Sequence, residues 1–236
     1  MKLCILENDL FDAELAARFG GFGGMFQRLF AQAGADNWTV EIFNTVNGQY
    51  PASFDDFDAV LLTGSRADSF SQEPWVLALR DKVEQLLQAK KMLLGVCFGH
   101  QLIALCLGAR VARAPQGWGA GRMHYQWHAP KWTQASDRDS IALLASHQDQ
   151  VLTLPAGATL LASSAFCPVA AFTLEQHVLC VQPHPEFVEE LSVYLLEKRR
   201  AVLGEALYST ATDSLVLGHE GLAMARLMVE FVEKNL

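Results

Sequence analysis

Met92-Leu93-Leu94-Gly95-Val96-Cys97-Phe98-Gly99-His100-Gln101 spells a strand, a tight turn and the start of a helix within ten residues. Met92–Val96 is a short apolar run and reads as a strand. From Phe98 the pattern turns helical up to Leu107, and Gly108 ends the helix. Gly95-Val96-Cys97-Phe98-Gly99 has the form G-x-C-x-G at that junction, the context of a nucleophile elbow. Its glycines let the chain turn sharply without side-chain clashes. Such a turn lifts the nucleophile to the C-terminal edge of the sheet, where open α/β sheets place their sites. The positive end of the helix dipole then faces the sulfur. The Phe98 N–H points into the same space, where it can stabilise an oxyanion. A cysteine taken alone reads as a buried structural residue; the strand–turn–helix context favours the nucleophile.

The same alternation extends on both sides of the elbow. Lys2–Leu6, Val40–Phe43 and Asp58–Leu62 read as strands, the last ending at Thr63-Gly64-Ser65. Gly20, Gly21, Gly23 and Gly24 read as a flexible loop before a helical stretch, Met25–Ala33. Glu73–Lys90 is the clearest amphipathic helix, with Val76, Leu79, Val83, Leu86 and Leu87 on one face. Strands alternating with helices imply an α/β chain with an open, mostly parallel sheet and flanking helices. Beyond Val111 short segments with Trp, Gly and Pro suggest strands and loops up to Pro183; Phe187–Val202 and Glu220–Asn235 close the chain as helices. No Pro/Gly/Ser-rich linker divides the sequence, so residues 1–236 read as a single domain.

A cysteine nucleophile needs a base within hydrogen-bond reach, and the base needs an orienting acceptor. Gln182-Pro183-His184-Pro185-Glu186-Phe187 follows an apolar strand, His177–Val181, and offers both. Pro185 disfavours helix at His184. In extended chain His184 and Glu186 project to one side. Glu186 can then hold the imidazole tautomer that accepts the Cys97 proton. The bland alternative, a strand-end histidine beside a solvated glutamate, loses ground once the elbow is present. His100 reads as a structural contact beneath the elbow, and His147 lies in a loop. His124, His128, His177 and His219 read as surface or packing residues without metal spacing.

Acidic residues number 26 against 18 Lys and Arg, a net charge of −8. That balance argues against general binding to nucleic acid or to an anionic membrane. Glu7 and Asp9 interrupt the first apolar run too early for a signal peptide, and no run approaches the ~18 apolar residues that span a bilayer, so a cytoplasmic protein is expected. Five cysteines at irregular spacings suggest no disulfide framework; Cys4, Cys106, Cys167 and Cys180 read as core.

The segments Gly95–Gln101 and Gln182–Glu186, in this order and separation, resemble the class I (triad) glutamine amidotransferases. The similarity is greatest to stand-alone members like the amidotransferase domain of GMP synthase, a branch that plant γ-glutamyl peptidases also resemble. It runs roughly over residues 58–187, the motif-bearing core, ahead of closing helices over 187–236. The resemblance implies a flavodoxin-like fold with Cys97 as nucleophile, His184 as base and Glu186 as its orienter. In the family the cysteine attacks the glutamine side-chain amide, ammonia leaves a γ-glutamyl thioester, and water releases glutamate. Thr63-Gly64-Ser65 matches the family's glycine turn, so the backbone at Gly64 and Ser65 would complete the oxyanion hole with Phe98. Gln101 matches a substrate-contacting glutamine. Ser146-His147-Gln148-Asp149-Gln150-Val151 matches a segment bordering the substrate pocket, which makes Ser146 and His147 substrate-binding candidates. Gln148 stands where relatives often have glycine.

The chain has no P-loop and no cofactor is expected. Either a separate synthetase subunit receives the ammonia, or the chain acts alone as a hydrolase of glutamine or of glutathione-like γ-glutamyl peptides. A partner-activated subunit with little activity of its own is a further alternative. An isomerase or redox sensor with an elbow cysteine is disfavoured by the His-Pro-Glu motif. Gly20–Phe26 and the aromatic-rich Trp118–Trp132 read either as shaping substrate or partner binding, or as a mobile loop and a hairpin packed by aromatics.

Overall fold

The computed structural model describes residues 1–128 and 139–236. Its strands are β1 (Lys2–Glu7), β2 (Thr39–Asn44), β3 (Ala59–Leu62), β4 (Met92–Val96), β5 (Val111–Arg113), β6 (Gly119–Trp127), β7 (Ser140–His147), β8 (Asp149–Val151), β9 (Ala158–Ser163), β10 (Ala171–Leu174) and β11 (Val178–Val181). The helices are α1 (Ala13–Phe19), α2 (Gly21–Phe30), α3 (Pro74–Gln88), α4 (Phe98–Cys106), α5 (Glu189–Leu203), α6 (Glu205–Ser214) and α7 (Gly221–Asn235). A nine-stranded sheet runs in the order β2-β1-β3-β4-β11-β10-β9-β6-β7. Its first five strands are parallel, and the remaining four extend it antiparallel. The expected α/β sheet is thus a parallel half joined to an antiparallel extension. Strands β5 and β8 pair separately.

Helices cover both faces of β1, β3, β4 and β11, which is why these strands are buried without alternation, whereas the edge strand β2 stays largely uncovered. Leu3, Ile5 and Leu61 pack with Phe26 and Phe30 of α2 and Met228 and Val232 of α7. Cys4, Leu6 and Val60 pack on the opposite face with Leu79 and Val83 of α3 and Leu102 of α4. A third cluster, including Leu15, Phe22, Phe187 and Leu191, ties α1 and α2 to α5. Among the described residues no helix is long and apolar enough to cross a membrane.

The glycine-rich stretch is helical, contrary to the loop expected. Gly20 (φ +74°) ends α1 in the left-handed conformation and α2 starts at Gly21. Glu7 at the end of β1 accepts the Gly23 N–H at 2.9 Å and so caps α2 from outside its own segment. A Cβ on Gly23 would lie 2.6 Å from Ile42 Cγ2. These glycines therefore bring a helix close to the sheet edge. Two further helices escaped the sequence reading. The first, α1, is short, and is defined by the Asp12 cap on the Leu15 N–H. The second, α6, buries little of its surface; Gly204 (φ +75°) separates it from α5. The aromatic stretch from Trp118 is one arm of the β6–β7 hairpin, and the part over residues 129–132 lies outside the described residues.

Helix α4 approaches the sheet more closely still. A Cβ on Gly99 would overlap the Leu62 carbonyl, and one on Gly95 would lie 2.9 Å from the Gly99 carbonyl. Gly99→Ala should therefore lower stability by about 1–3 kcal/mol through overpacking against rigid backbone. A Cβ on Gly24 would meet the far end of Arg28 at 3.4 Å and the Phe19 carbonyl at an ordinary 3.9 Å. Gly24→Ala should be neutral or stabilising by up to ~1 kcal/mol, since alanine suits a helix better. Thermal unfolding followed by circular dichroism measures both.

Candidate active site

Cys97 sits between β4 and α4 at φ +51°, ψ −102°, a strained conformation for a residue with a side chain. Neighbours on three sides hold it there. Its N–H donates to the Val181 carbonyl at 2.9 Å, fixing the elbow to the end of β11. Gln101 N–H donates to the Cys97 carbonyl at 3.0 Å, and Gly99 N–H to the Thr63 carbonyl at 3.2 Å. Asn8 at the end of β1 grips Thr63 twice at 3.0 Å, through its N–H to Thr63 Oγ1 and its Nδ2 to the Thr63 carbonyl. The Thr63–Ser65 turn is thereby set beside the elbow. A Cβ on Gly64 would lie 2.8 Å from His184 Cε1 and 3.7 Å from Cys97 Cβ. Glycine at this position lets backbone approach both side chains.

His184 and Glu186 follow β11 on the strand that neighbours β4. The buried imidazole Nδ1 donates to Glu186 Oε1 at 2.7 Å, and the other side of the ring meets the Cys97 thiol. His184 N–H donates to the Leu144 carbonyl at 2.8 Å, which anchors the residue to β7. The Phe187 ring stacks on the imidazole with centroids 3.8 Å apart, and Phe22 lies 6.3 Å away nearly parallel. Burial pushes the His184 pKa down, but Glu186 and the Cys97 sulfur outweigh it and raise it to about 10.

The remaining predicted residues fall around the same cleft. Ser65, Gln101, Ser146 and His147 line it together with Cys97. Gln101 Nε2 is committed to the Asp149 carbonyl at 2.9 Å and to Gln182 Oε1 at 3.1 Å, which leaves its oxygen for the cleft. The Phe98 side chain turns away and stacks on Trp75 at 5.6 Å, so only its backbone is available to the site. His147 ends β7 rather than lying in a loop; its buried ring packs on Phe166, and burial lowers its pKa to about 4. His100 is fully buried against Phe172 at 5.2 Å. Burial raises the thiols of Cys4, Cys106 and Cys167 to about 12; Cys4 and Cys167 lie in the core as expected, whereas Cys106 is half-buried at its edge. Among the described residues no group of three His, Cys, Asp or Glu side chains is placed to hold a metal ion.

Sequence reasoning missed several residues. Arg199 lines the cleft with its guanidinium 5.4 Å from the ring centroid of Trp118, which begins the aromatic stretch already read as a candidate for shaping substrate or partner binding. Arg113 Nη1 donates to Asp149 Oδ1 at 2.8 Å and its Nη2 to Asp68 Oδ2 at 3.0 Å; burial raises Asp149 to about 6 against the pull of Arg113. Arg199 stands in a Lys-Arg-Arg run that reads as a solvated helix face, so no local signal marks it. Phe187 directly follows Glu186 and was findable.

The charged imidazole gives a definite pH expectation. A group raised in the folded state contributes stability that is present below its unfolded pKa of ~6.5 and lost as pH rises through the folded value. For His184 that loss falls near pH 10. Nuclear magnetic resonance of ring-labelled histidine should find His184 still protonated at pH 8. In Glu186→Gln its titration midpoint should move down by at least ~1 unit, because the main opposing charge is gone.

The model of the family described as glutamine amidotransferase class-I matches residues 23–198. γ-Glutamyl peptidase 3 of Arabidopsis thaliana is 32% identical over 231 residues, covering 87% of this chain and 89% of the relative. A GMP synthase (glutamine-hydrolysing) of Caldicellulosiruptor saccharolyticus is 40% identical over 98 residues, covering 41% of this chain and 19% of that protein. The crystal structure of a glutamine amidotransferase from Thermotoga maritima shares the fold, with a TM-score of 0.75 over 99% of this chain and 96% of that one at 17% identity. The motifs, the elbow between β4 and α4 and the family match agree: this chain belongs to the class I glutamine amidotransferase family.

Proposed function

We propose that the protein hydrolyses the γ-glutamyl amide bond of glutamine or a γ-glutamyl peptide through a Cys97–His184–Glu186 triad. The observation that carries this reading is the strained Cys97 beside a His184 ring whose far nitrogen is held by Glu186 at 2.7 Å. His184 enters the reaction already protonated, held so by Glu186 and the Cys97 sulfur, and Cys97 Sγ attacks the γ-carbonyl carbon. Oxyanion charge develops where the backbone N–H of Phe98 and the Gly64–Ser65 turn converge. The C–N bond breaks as His184 returns the proton to the departing nitrogen, which leaves as ammonia or an amine. Water, deprotonated by the now neutral His184, attacks the thioester; the C–S bond breaks, glutamate leaves, and Cys97 Sγ is free again beside the protonated ring. Glu186 fixes the ring tautomer and offsets the imidazolium charge. The Gln101 oxygen, Ser146 and His147 border the γ-glutamyl group.

The match to γ-glutamyl peptidase 3 over nearly its whole length favours a chain that acts alone on peptides. The partial match to GMP synthase keeps glutamine, with a separate ammonia-accepting synthetase, as the second reading.

Incubation with L-glutamine and with γ-glutamyl dipeptides, followed by glutamate assay, tests the proposal. Cys97→Ala should abolish release while its thermal midpoint stays within a few degrees of wild type. Glu186→Gln should cut kcat by about 10²–10⁴-fold, in line with loss of an orienting carboxylate. Unchanged turnover in Cys97→Ala would overturn the assignment.

A further inference from the structure

A second recess opens on the His184 side of the cleft, between α1, α2 and α5. It measures about 190 Å³. A water-sized molecule such as ammonia needs only ~10–15 Å³ of comparable space. Phe22 and Phe187 form its wall at the imidazole, and Leu15, Leu191 and Leu195 continue the apolar lining. His184 returns its proton to the leaving nitrogen, so the leaving group must extend from the imidazole into this recess.

The charges around the recess are unequal in their partners. Arg66 Nε donates to Asp9 Oδ1 at 2.8 Å, and Lys198 lies 3.5 Å from Asp12. Arg199 is half-buried, and among the described residues it forms no ion pair. Its Nη1 donates to Ser146 Oγ at 3.1 Å, and Trp118 covers its face. Burial lowers its pKa against the pull of Cys97 and of Asp9, which is itself paired to Arg66. A part-buried cation with no carboxylate at ion-pair distance is costly unless an anion arrives to meet it. A guanidinium, moreover, is shaped for bidentate contact with a carboxylate. Arg199 borders both the recess and the cleft that holds Cys97.

We propose that the recess selects a leaving group with an apolar side chain and a free carboxylate, which Arg199 binds, so that the preferred substrate is a γ-glutamyl dipeptide whose second residue is hydrophobic. The inference rests on the γ-glutamyl reading above and adds the chemistry of the departing half. Arg199 is a specificity residue in it: the guanidinium meets a charge absent from glutamine's ammonia and from a C-terminal amide.

The test compares glutamate release by the full chain from γ-glutamyl-leucine, γ-glutamyl-leucinamide, γ-glutamylglycine and L-glutamine, with Cys97→Ala as blank. Leucine should exceed glycine in kcat/KM by at least ~10-fold, the discrimination an apolar pocket supplies. The free acid should exceed the amide by about 10-fold, as for a charge-assisted contact. In Arg199→Gln the acid-to-amide ratio should fall to about one, chiefly through KM, because binding rather than chemistry is lost. Arg199→Lys should keep part of the preference, and carries the comparison if the glutamine variant folds poorly. A wild-type acid-to-amide ratio near one, no preference for leucine, or a ratio unchanged in both variants would overturn the inference while leaving γ-glutamyl hydrolysis standing. Absence of Cys97-dependent release from all four compounds would overturn the hydrolase reading as well.

Discussion

Gly99 lies so close to the Leu62 carbonyl that no side chain fits between α4 and β3. The geometry of the elbow depends on this contact. With α4 seated against the strands, Cys97 has only a turn at φ +51° in which to pass from β4 into the helix. The strain is held by backbone hydrogen bonds from three directions: Val181 at the end of β11, Thr63 at the end of β3, and Gln101 one turn along α4. Adjacent parallel strands deliver all the parts. β3 brings the glycine turn, β4 the thiol, and β11 the imidazole and carboxylate. This is the arrangement expected at the C-terminal edge of an open α/β sheet.

A second constraint concerns charge. His184 and Glu186 are both buried, and each would be expensive to hold alone. Paired at 2.7 Å, and with an aromatic ring stacked on the imidazole, they form a unit that keeps its proton well above the usual histidine range. Part of that environment comes from remote sequence. Phe22 belongs to α2, whose start is capped by Glu7 and whose close packing needs Gly23. The glycine-rich stretch thus serves the site through packing rather than through mobility.

The antiparallel extension and the closing helices give the cleft its walls. Ser146 and His147 come from β7, Trp118 precedes β6, and α5 carries Arg199 over them. The parallel half carries Cys97 and His184, and the extension and α5 carry the residues that line the rest of the cleft.

The sequence by itself determined the parallel strands, the α3 and α4 helices and the order of elbow and His-Pro-Glu motif. Each is a local signal: a continuous apolar run, a 3.6-residue stripe, or a turn that demands glycine at fixed offsets. The His184–Glu186 contact is expected from extended chain, but it forms with Pro185 and Glu186 in a turn. Tertiary structure alone decided the rest. The Gly20–Gly24 stretch reads as loop from composition, and becomes helix because the cap comes from Glu7 and the packing partner is Ile42. Helix α1 is too short, and α6 too exposed, to announce itself by periodicity. Arg199 looks like any cation on a solvated helix face until α5 is laid across Ser146 and Trp118. A lone charge's partners, or lack of them, arise from contacts distant in sequence, and no local pattern encodes them.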